Sequence, residues 1–442
     1  MKPIDTFGKV FLPDKDIVIQ GARLYSNEQG IFIEFDSPFS DSHRNTELIL
    51  GSFNRLGLAT CINNIYHGSQ IGGGGNLCKY KITDLICGVH FSKVEDAVFN
   101  KAFFYLNSLI EWFDKKGIKH TSSPNKTIEY GTFQEIELEI EGFSKSKFNF
   151  GYSMHMSQHS ASVSDTVTFS LESVAPKSLQ NFFKIINKLR KLFSFLTDSV
   201  FEIDDISLYN NNIKHEFGGK ITESLVELKL YGQKGSLSPC QTSHFLNIKY
   251  IDIEDNFKDL IKNWLKISED NFVIDLLLEK ASNPELSPRT YFLNVCFALE
   301  VYHKSNISNQ KLSTKDFKTI KVYLRKVIKD KMAKEWITNK IGLGNHPSFR
   351  DRLVFFKSNF EAIYSDDVDT LINKIIHTRN SLVHSAAKKQ YIVKDDYELY
   401  AISITLEVLV KRLILRDLGI ENHSLDMLNI EAKRHIDRFL GK

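Results

Sequence analysis

The apolar residues of this chain change period part-way along it, and that change limits the fold more than any single motif does. As far as Tyr231 they alternate or form short runs. Ile17-Val18-Ile19, Gly30 to Phe35, Leu48 to Gly51 and the strictly alternating Ile136-Glu137-Leu138-Glu139-Ile140-Glu141 read as strands. Phe148 to Tyr152, Val167 to Leu171, Ile203 to Tyr209 and Glu223 to Tyr231 continue the pattern. One helical run interrupts it. Ser178 opens this run, and Leu179, Phe182, Phe183, Ile186, Leu189, Leu192 and Phe193 follow at helical spacing. Phe257 to Ser268 also reads as a helix, with Trp264 on its apolar face.

Beyond Pro284 and Pro288 nearly every segment has the 3.6-residue period. The spacing predicts helices over Arg289–His303, Ser313–Lys334, Pro347–Tyr364, Asp366–Thr378, Asp395–Leu418 and Leu425–Leu440. Ser313 with Asp316 resembles a capping box, and Asp366-Asp367 and Asp395-Asp396 place negative charge at helix N-termini. The expected fold class is therefore α+β multidomain, a β-rich N-terminal region followed by an all-α bundle. With 442 residues the chain is long enough for two or three domains of about 150 residues. The expected divisions are 1–235, β-rich; 236–287, linker and helical connection; and 288–442, α-helical.

The net charge of +3 conceals the same division. From Leu286 onward 27 Lys and Arg face 18 Asp and Glu, an excess of nine, so the preceding 285 residues carry a deficit of six. A basic helical part suits contact with nucleic acid, and solvated helices carry similar excesses. The five cysteines are odd in number and form no Cys-x-x-Cys pair, which fits a reducing, cytoplasmic setting. Cys61, His67, Cys78, Cys87 and His90 crowd one stretch, but their spacings match no zinc knuckle or ribbon. The thiols are expected as buried small hydrophobes, with a structural zinc as the alternative, and no cofactor is expected. Met1 to Lys15 lacks the apolar core of a secretion signal, and no segment approaches a membrane span, so no membrane partner is expected. The glycine run Gly72 to Gly75 lacks the features of a P-loop or dinucleotide fingerprint and reads as a loop tip between strands.

One segment of the basic part has chemical promise: Arg379-Asn380-Ser381-Leu382-Val383-His384. Spacing alone says little, since chance would supply about 0.4 such Arg-x-x-x-x-His pairs in a chain of this composition. Arg379 could serve only as a cation near a helix C-terminus, with His384 a satisfied polar residue. Read as chemistry, the pair is suited to RNA, which carries its own nucleophile in the 2′-hydroxyl and needs a proton acceptor and a fixed cation. A free imidazole titrates near neutrality, and a guanidinium forks two hydrogen bonds onto phosphate. Asn380 would orient the histidine or hold a phosphate oxygen. On a straight helix residues five apart diverge by about 140°, so Arg379 and His384 converge best at a helix start or across a dimer. His377 shares roughly the face of His384 and is a secondary candidate. Glu300, a carboxylate in an apolar helix, is expected to pair with a bundle arginine rather than act directly. His303 reads as a polar helix-end residue.

On these residues the C-terminal part resembles the HEPN superfamily of helical ribonuclease domains, whose signature is Arg, a polar residue, three to five variable residues and His. The helix Phe292 to His303 and the segment Asn345-His346-Pro347-Ser348-Phe349-Arg350-Asp351-Arg352-Leu353 look like HEPN domains of the ApeA anti-phage family. The strand at Gly51 and the run Leu58 to Ser69 are similar in layout to the β-rich N-terminal domain of that family. The resemblance implies a metal-independent endoribonuclease of abortive infection that is silent until a phage-derived trigger appears. It also implies an N-terminal domain that senses or restrains, and a homodimer built through the helical domain. The implied substrate is RNA, host tRNA among the targets, and the implied ends are 2′,3′-cyclic phosphate and 5′-hydroxyl. The alternative is a non-catalytic HEPN module that binds RNA or protein. An enzyme sited in the β-rich region has no motif behind it.

Overall fold

A computed structural model describes residues 4–13, 18–36, 45–72, 75–115, 117–120, 128–131, 133–156, 161–201, 203–217, 220–232, 248–267, 271–283, 285–307, 310–341, 344–384, 389–420 and 422–441. The chain divides into two compact units, Met1–Lys191 with Val200–Pro239, and Leu192–Ser199 with Cys240–Lys442.

The first unit begins with β1 (Asp5–Phe11), β2 (Val18–Asn27), β3 (Gly30–Phe35), β4 (Thr46–Phe53), β5 (Gly57–Gly72) and β6 (Gly75–Cys87). These run in the order β6-β3-β2-β1-β4-β5, and β5 pairs back onto β6, so six antiparallel strands close into a barrel. Closure satisfies the edge hydrogen bonds that an open sheet exposes. β6 is also the point of exit. The edge of β6 that takes β3 from Cys78 to Ile82 takes β16 (Leu228–Gly232) from Asp84 to Cys87. From β16 the sheet continues through β13 (Asp205–Tyr209), β7 (Val98–Tyr105), β12 (Ala161–Ser178), β11 (Lys145–Met156) and β10 (Ile136–Leu138). Two small hairpins, β8 (Ile118–His120) with β9 (Ile128–Tyr130) and β14 (Lys214–Phe217) with β15 (Lys220–Leu225), and the single turn α1 (Ile110–Phe113) are further elements of this unit.

Alternation in the sequence becomes inside and outside in the barrel. Val10, Leu24, Ile33, Phe35, Tyr80 and Leu85 fill its interior together with Cys61, Cys78 and Cys87. Burial pushes the Cys87 thiol up to about 12 and raises that of Cys61 further, so both pack as neutral groups. His67 lies against the Phe32 ring, and His90 bonds the Gly51 carbonyl at 2.8 Å. Among the described residues no group of His, Cys, Asp and Glu is placed to hold a metal. Gly72 pairs with Gly75 at the end of the β5–β6 hairpin, while Gly73 and Gly74 of the expected loop tip lie outside the described residues. The strand expected over Ile136–Glu141 stops at Leu138, because the chain turns at Gly142, whose φ of 84° suits a residue without Cβ. The strand expected over Glu223–Tyr231 is two, parted after Leu225.

Helix α2 (Leu179–Thr197) starts in the first unit and ends in the second. The second unit adds α3 (Phe257–Lys266), α4 (Phe272–Ser282), α5 (Pro288–Asn306), α6 (Thr314–Val327), α7 (Lys331–Ile341), α8 (Phe349–Phe355), α9 (Lys357–Glu361), α10 (Val368–His384), α11 (Asp396–Asp417) and α12 (Asn422–Phe439). The stretch expected as linker and helical connection, 236–287, contains α3 and α4. Asn271 starts α4 by accepting from the backbone of Val273 and Ile274. The helix expected over Ser313–Lys334 is broken at Ile328, which is extended, and Asp330 caps the next helix through Ala333 N at 2.6 Å. The helix expected over Pro347–Tyr364 is likewise two, parted at Phe356. No helix among the described residues is long and apolar enough to cross a membrane.

The centre of this unit is α11, buried almost throughout from Leu399 to Leu415. Its Ser403 and Thr405 hydroxyls bond back to Leu399 and Ala401 carbonyls at 2.7 and 2.9 Å. It also carries buried charge. Lys411 pairs with Asp198 and, at 3.3 Å, with Glu407; Tyr291 donates to Glu407, and Lys280 stands 3.8 Å from the same carboxylate.

Candidate active site

Helix α10 sets the geometry of the Arg-Asn-His segment. Leu371, Ile372, Ile375 and Ile376 recur at three and four residues and are buried, which fixes the face that α10 turns to the core. Lys374 Nζ reaches Glu398 on α11 at 2.6 Å. The buried Thr378 hydroxyl accepts from Val393 N at 3.0 Å, which ties the chain beyond the motif back onto α10.

Arg379 follows Ile375 by four residues and so stands at the border of the buried face. Its side chain is 16% exposed. The guanidinium lies over the Phe349 ring at 5.4 Å and the Phe297 ring at 6.0 Å. Nη2 approaches Glu300 Oε2 at 3.4 Å and Nη1 approaches Asn380 Oδ1 at 3.5 Å, both at the long limit for a hydrogen bond. Nε is buried and makes no hydrogen bond among the described residues. A guanidinium has five N–H donors, and here they are used sparingly. Glu300, 31% exposed, stands on α5 as the carboxylate paired with this cation.

His384 is the last residue of α10, nine positions after Ile375 and about 180° around the helix from it. It is accordingly exposed, as are Leu382 and Val383, at 38% and 41%. The helix expected to end at Thr378 continues through the whole motif, so Arg379 and His384 do not meet at a helix start. Within one chain their side chains diverge. His377 stacks on Tyr391, the rings 5.5 Å apart and 14° from parallel. Arg379, Asn380 and Glu300 are therefore brought together, while His384 is turned away from them at the exposed end of α10.

His303 lies in the last turn of α5, as expected of a polar helix-end residue, and it is also buried. Helix α5 continues to Asn306, and His303 is buried edge-on to Phe355 and Phe356. Arg352 Nη1 lies 2.9 Å from His303 Nδ1, and since a guanidinium only donates, Nδ1 accepts. Arg352 and the aromatic plates Phe297 and Phe349 are contributions the spacing does not single out. Phe349 owes its place to α8, started by the reciprocal Ser348–Asp351 capping box. Cys296, one turn before Glu300, is buried, and burial pushes its thiol up, so it acts as packing beside Arg379.

Comparison with known proteins matches the chain in two blocks. Residues 6–264, more than half its length, match the family described as ApeA N-terminal domain 1. Residues 293–424 match the family described as Apea-like HEPN, a span that contains Glu300, Arg379, Asn380 and His384. No curated protein and no solved structure matches the chain.

Proposed function

The chain belongs to the ApeA-like proteins, HEPN nuclease-type proteins of anti-phage defence, and from that membership we propose that it is a metal-independent endoribonuclease acting in abortive infection. The observation that carries the reading is the state of Arg379. A half-buried guanidinium against two aromatic rings, its Nε without a hydrogen bond among the described residues and its contacts to Glu300 and Asn380 long, retains donors for a phosphate. A fully committed structural arginine would not.

The reaction needs little beyond this. The 2′-hydroxyl of the substrate attacks the adjacent phosphorus, the P–O2′ bond forms, and the P–O5′ bond breaks. The proton leaving O2′ passes to an imidazole, and the departing 5′ oxygen receives one. The products are a 2′,3′-cyclic phosphate and a 5′-hydroxyl. Arg379 holds the charge that builds on the phosphoryl oxygens, Asn380 steadies the guanidinium or a phosphate oxygen, and His384 moves the protons.

Because Arg379 and His384 diverge on one helix, the site is completed by a second copy. A two-fold axis near the end of α10 would bring both motifs to one cleft and cover Leu382 and Val383. It would also supply two imidazoles, one to accept and one to donate. The N-terminal unit restrains this site until a phage component arrives, and host RNA, tRNA included, is then cut. The test is expression of wild type and His384→Ala in infected cells, followed by sequencing of RNA ends. New 5′-hydroxyl ends confined to wild type are expected. Equal ends in both strains would reject the catalytic role, and salt-sensitive RNA binding without new ends would mark a non-catalytic module.

A further inference from the structure

The basic excess of the helical part is concentrated in one place. Between Ser313 and Ile341 nine Lys and Arg stand against three Asp and Glu, so this stretch alone accounts for six of the excess of nine beyond Leu286. These residues form the α6–α7 hairpin. Helix α6 buries no residue, although it is fourteen residues long. Lys318, Lys321 and Arg325 recur at three and four positions and share one face; Ile320, Tyr323 and Val327 share another. Tyr323 and Trp336 are each 64% exposed and Met332 is 80% exposed. Large aromatic rings left open to water among lysines are costly unless something covers them.

The hairpin is rooted beside the candidate site. Lys311 N donates to the Asn345 carbonyl at 2.7 Å, and Leu312 and Asn345 exchange two bonds at 2.8 and 2.9 Å. Lys311 Nζ reaches Asp351 at 2.6 Å. This clamp joins the two ends of the hairpin and sits at the start of α8, whose Phe349 lies under the Arg379 guanidinium.

We propose that the α6–α7 hairpin is the arm that seats a single-stranded segment of RNA and leads it to Arg379, an inference that rests on the endoribonuclease reading. Lysines along the arm follow the phosphates, and Trp336 and Tyr323 stack on unpaired bases, the combination by which single strands are held without sequence preference. Charge favours RNA over a second copy of the chain, since two such arms would set like excesses against each other. The position beside Arg379 favours RNA over a lipid surface.

The experiment uses the full chain carrying His384→Ala, so that RNA stays intact, and a labelled single-stranded oligoribonucleotide titrated at several salt concentrations. Trp336→Ala should weaken binding roughly tenfold. The triple variant Lys321→Glu, Lys326→Glu and Lys334→Glu should flatten the dependence of log affinity on log salt by about 2. Molar mass from light scattering should be unchanged in both. Unchanged affinity and slope would overturn the inference, as would a fall in molar mass with RNA binding intact, which would give the face to a second copy. If hairpin variants with His384 restored cut RNA as the parent does, the arm fails and the endoribonuclease reading stands. If the arm binds RNA and the parent cuts none, the arm stands and that reading fails.

Discussion

Two cation–carboxylate groups in the helical unit make opposite use of the same chemistry. Around Lys411 the charges are dry: its side chain is 1% exposed, Glu407 is fully buried, and Asp198, Tyr291 and Lys280 complete the set. At Arg379 the pair is loose, its side chains 16% and 31% exposed at 3.4 Å, with a donor left over. A buried charge without a partner is strongly unfavourable, so the first group cannot give up a bond to a ligand without cost to the fold. The second can. What separates the two ion pairs is therefore exposure and spare hydrogen-bonding capacity among the described residues.

Substitutions should split along that line. His384→Ala is expected to lower RNA cutting by about 10²- to 10⁴-fold, the usual contribution of a positioned proton-transfer group, with thermal melting unchanged. Arg379→Ala should cost about 10²- to 10³-fold in the same cleavage assay. Lys411→Ala should do the reverse. It takes the ammonium away from two buried carboxylates, Glu407 and Asp198, and should remove about 3–5 kcal/mol of stability in chemical denaturation while leaving the Arg379 surroundings in place. If Lys411→Ala proved as stable as wild type, or Arg379→Ala unfolded, the contrast between the two groups would collapse.

Smaller effects refine it. Phe349→Leu removes an aromatic plate from the guanidinium, worth about 0.5–2 kcal/mol, and should raise the RNA concentration needed for half-maximal cutting more than it changes turnover. The Lys311–Asp351 pair, 45% and 42% exposed, extends the comparison to the surface and should matter least. Hydrogen bonds from Lys311 and Ser348 lower the Asp351 carboxyl from 3.8 to about 2. A carboxylate depressed by folding stabilises above its unfolded value and loses that contribution as pH falls through the folded one. The small difference in melting between wild type and Asp351→Asn should hold at neutral pH, decline below 3.8 and vanish toward pH 2.

Much of this was legible in the order of residues. Alternation marked the strands, and β3 spans Gly30–Phe35 as its pattern suggests. Closure into a barrel was not legible, because it depends on β5 returning to β6, and pairing between strands leaves no trace in either strand alone. Helix α4 escaped because Val273, Ile274, Leu276, Leu277 and Leu278 are apolar nearly all round, which blurs the helical period. The break at Ile328 escaped for a different reason: Asp330 competes as a cap within an unbroken basic pattern. At the site, the motif named Arg379 and His384, and the apolar setting of Glu300 pointed to an arginine partner, which Arg379 provides. The rings of Phe297 and Phe349 belong to helices far away in sequence, and only packing places them on the guanidinium.

The most direct test of a site built on Arg379 and His384 is cleavage of RNA by the purified chain in EDTA, with the ends of the fragments identified chemically. Cutting that persists in EDTA, leaves 2′,3′-cyclic phosphate and 5′-hydroxyl ends, and disappears in both Arg379→Ala and His384→Ala is the expected result. Cutting that requires added metal, leaves 3′-hydroxyl ends, or survives in either variant would contradict it.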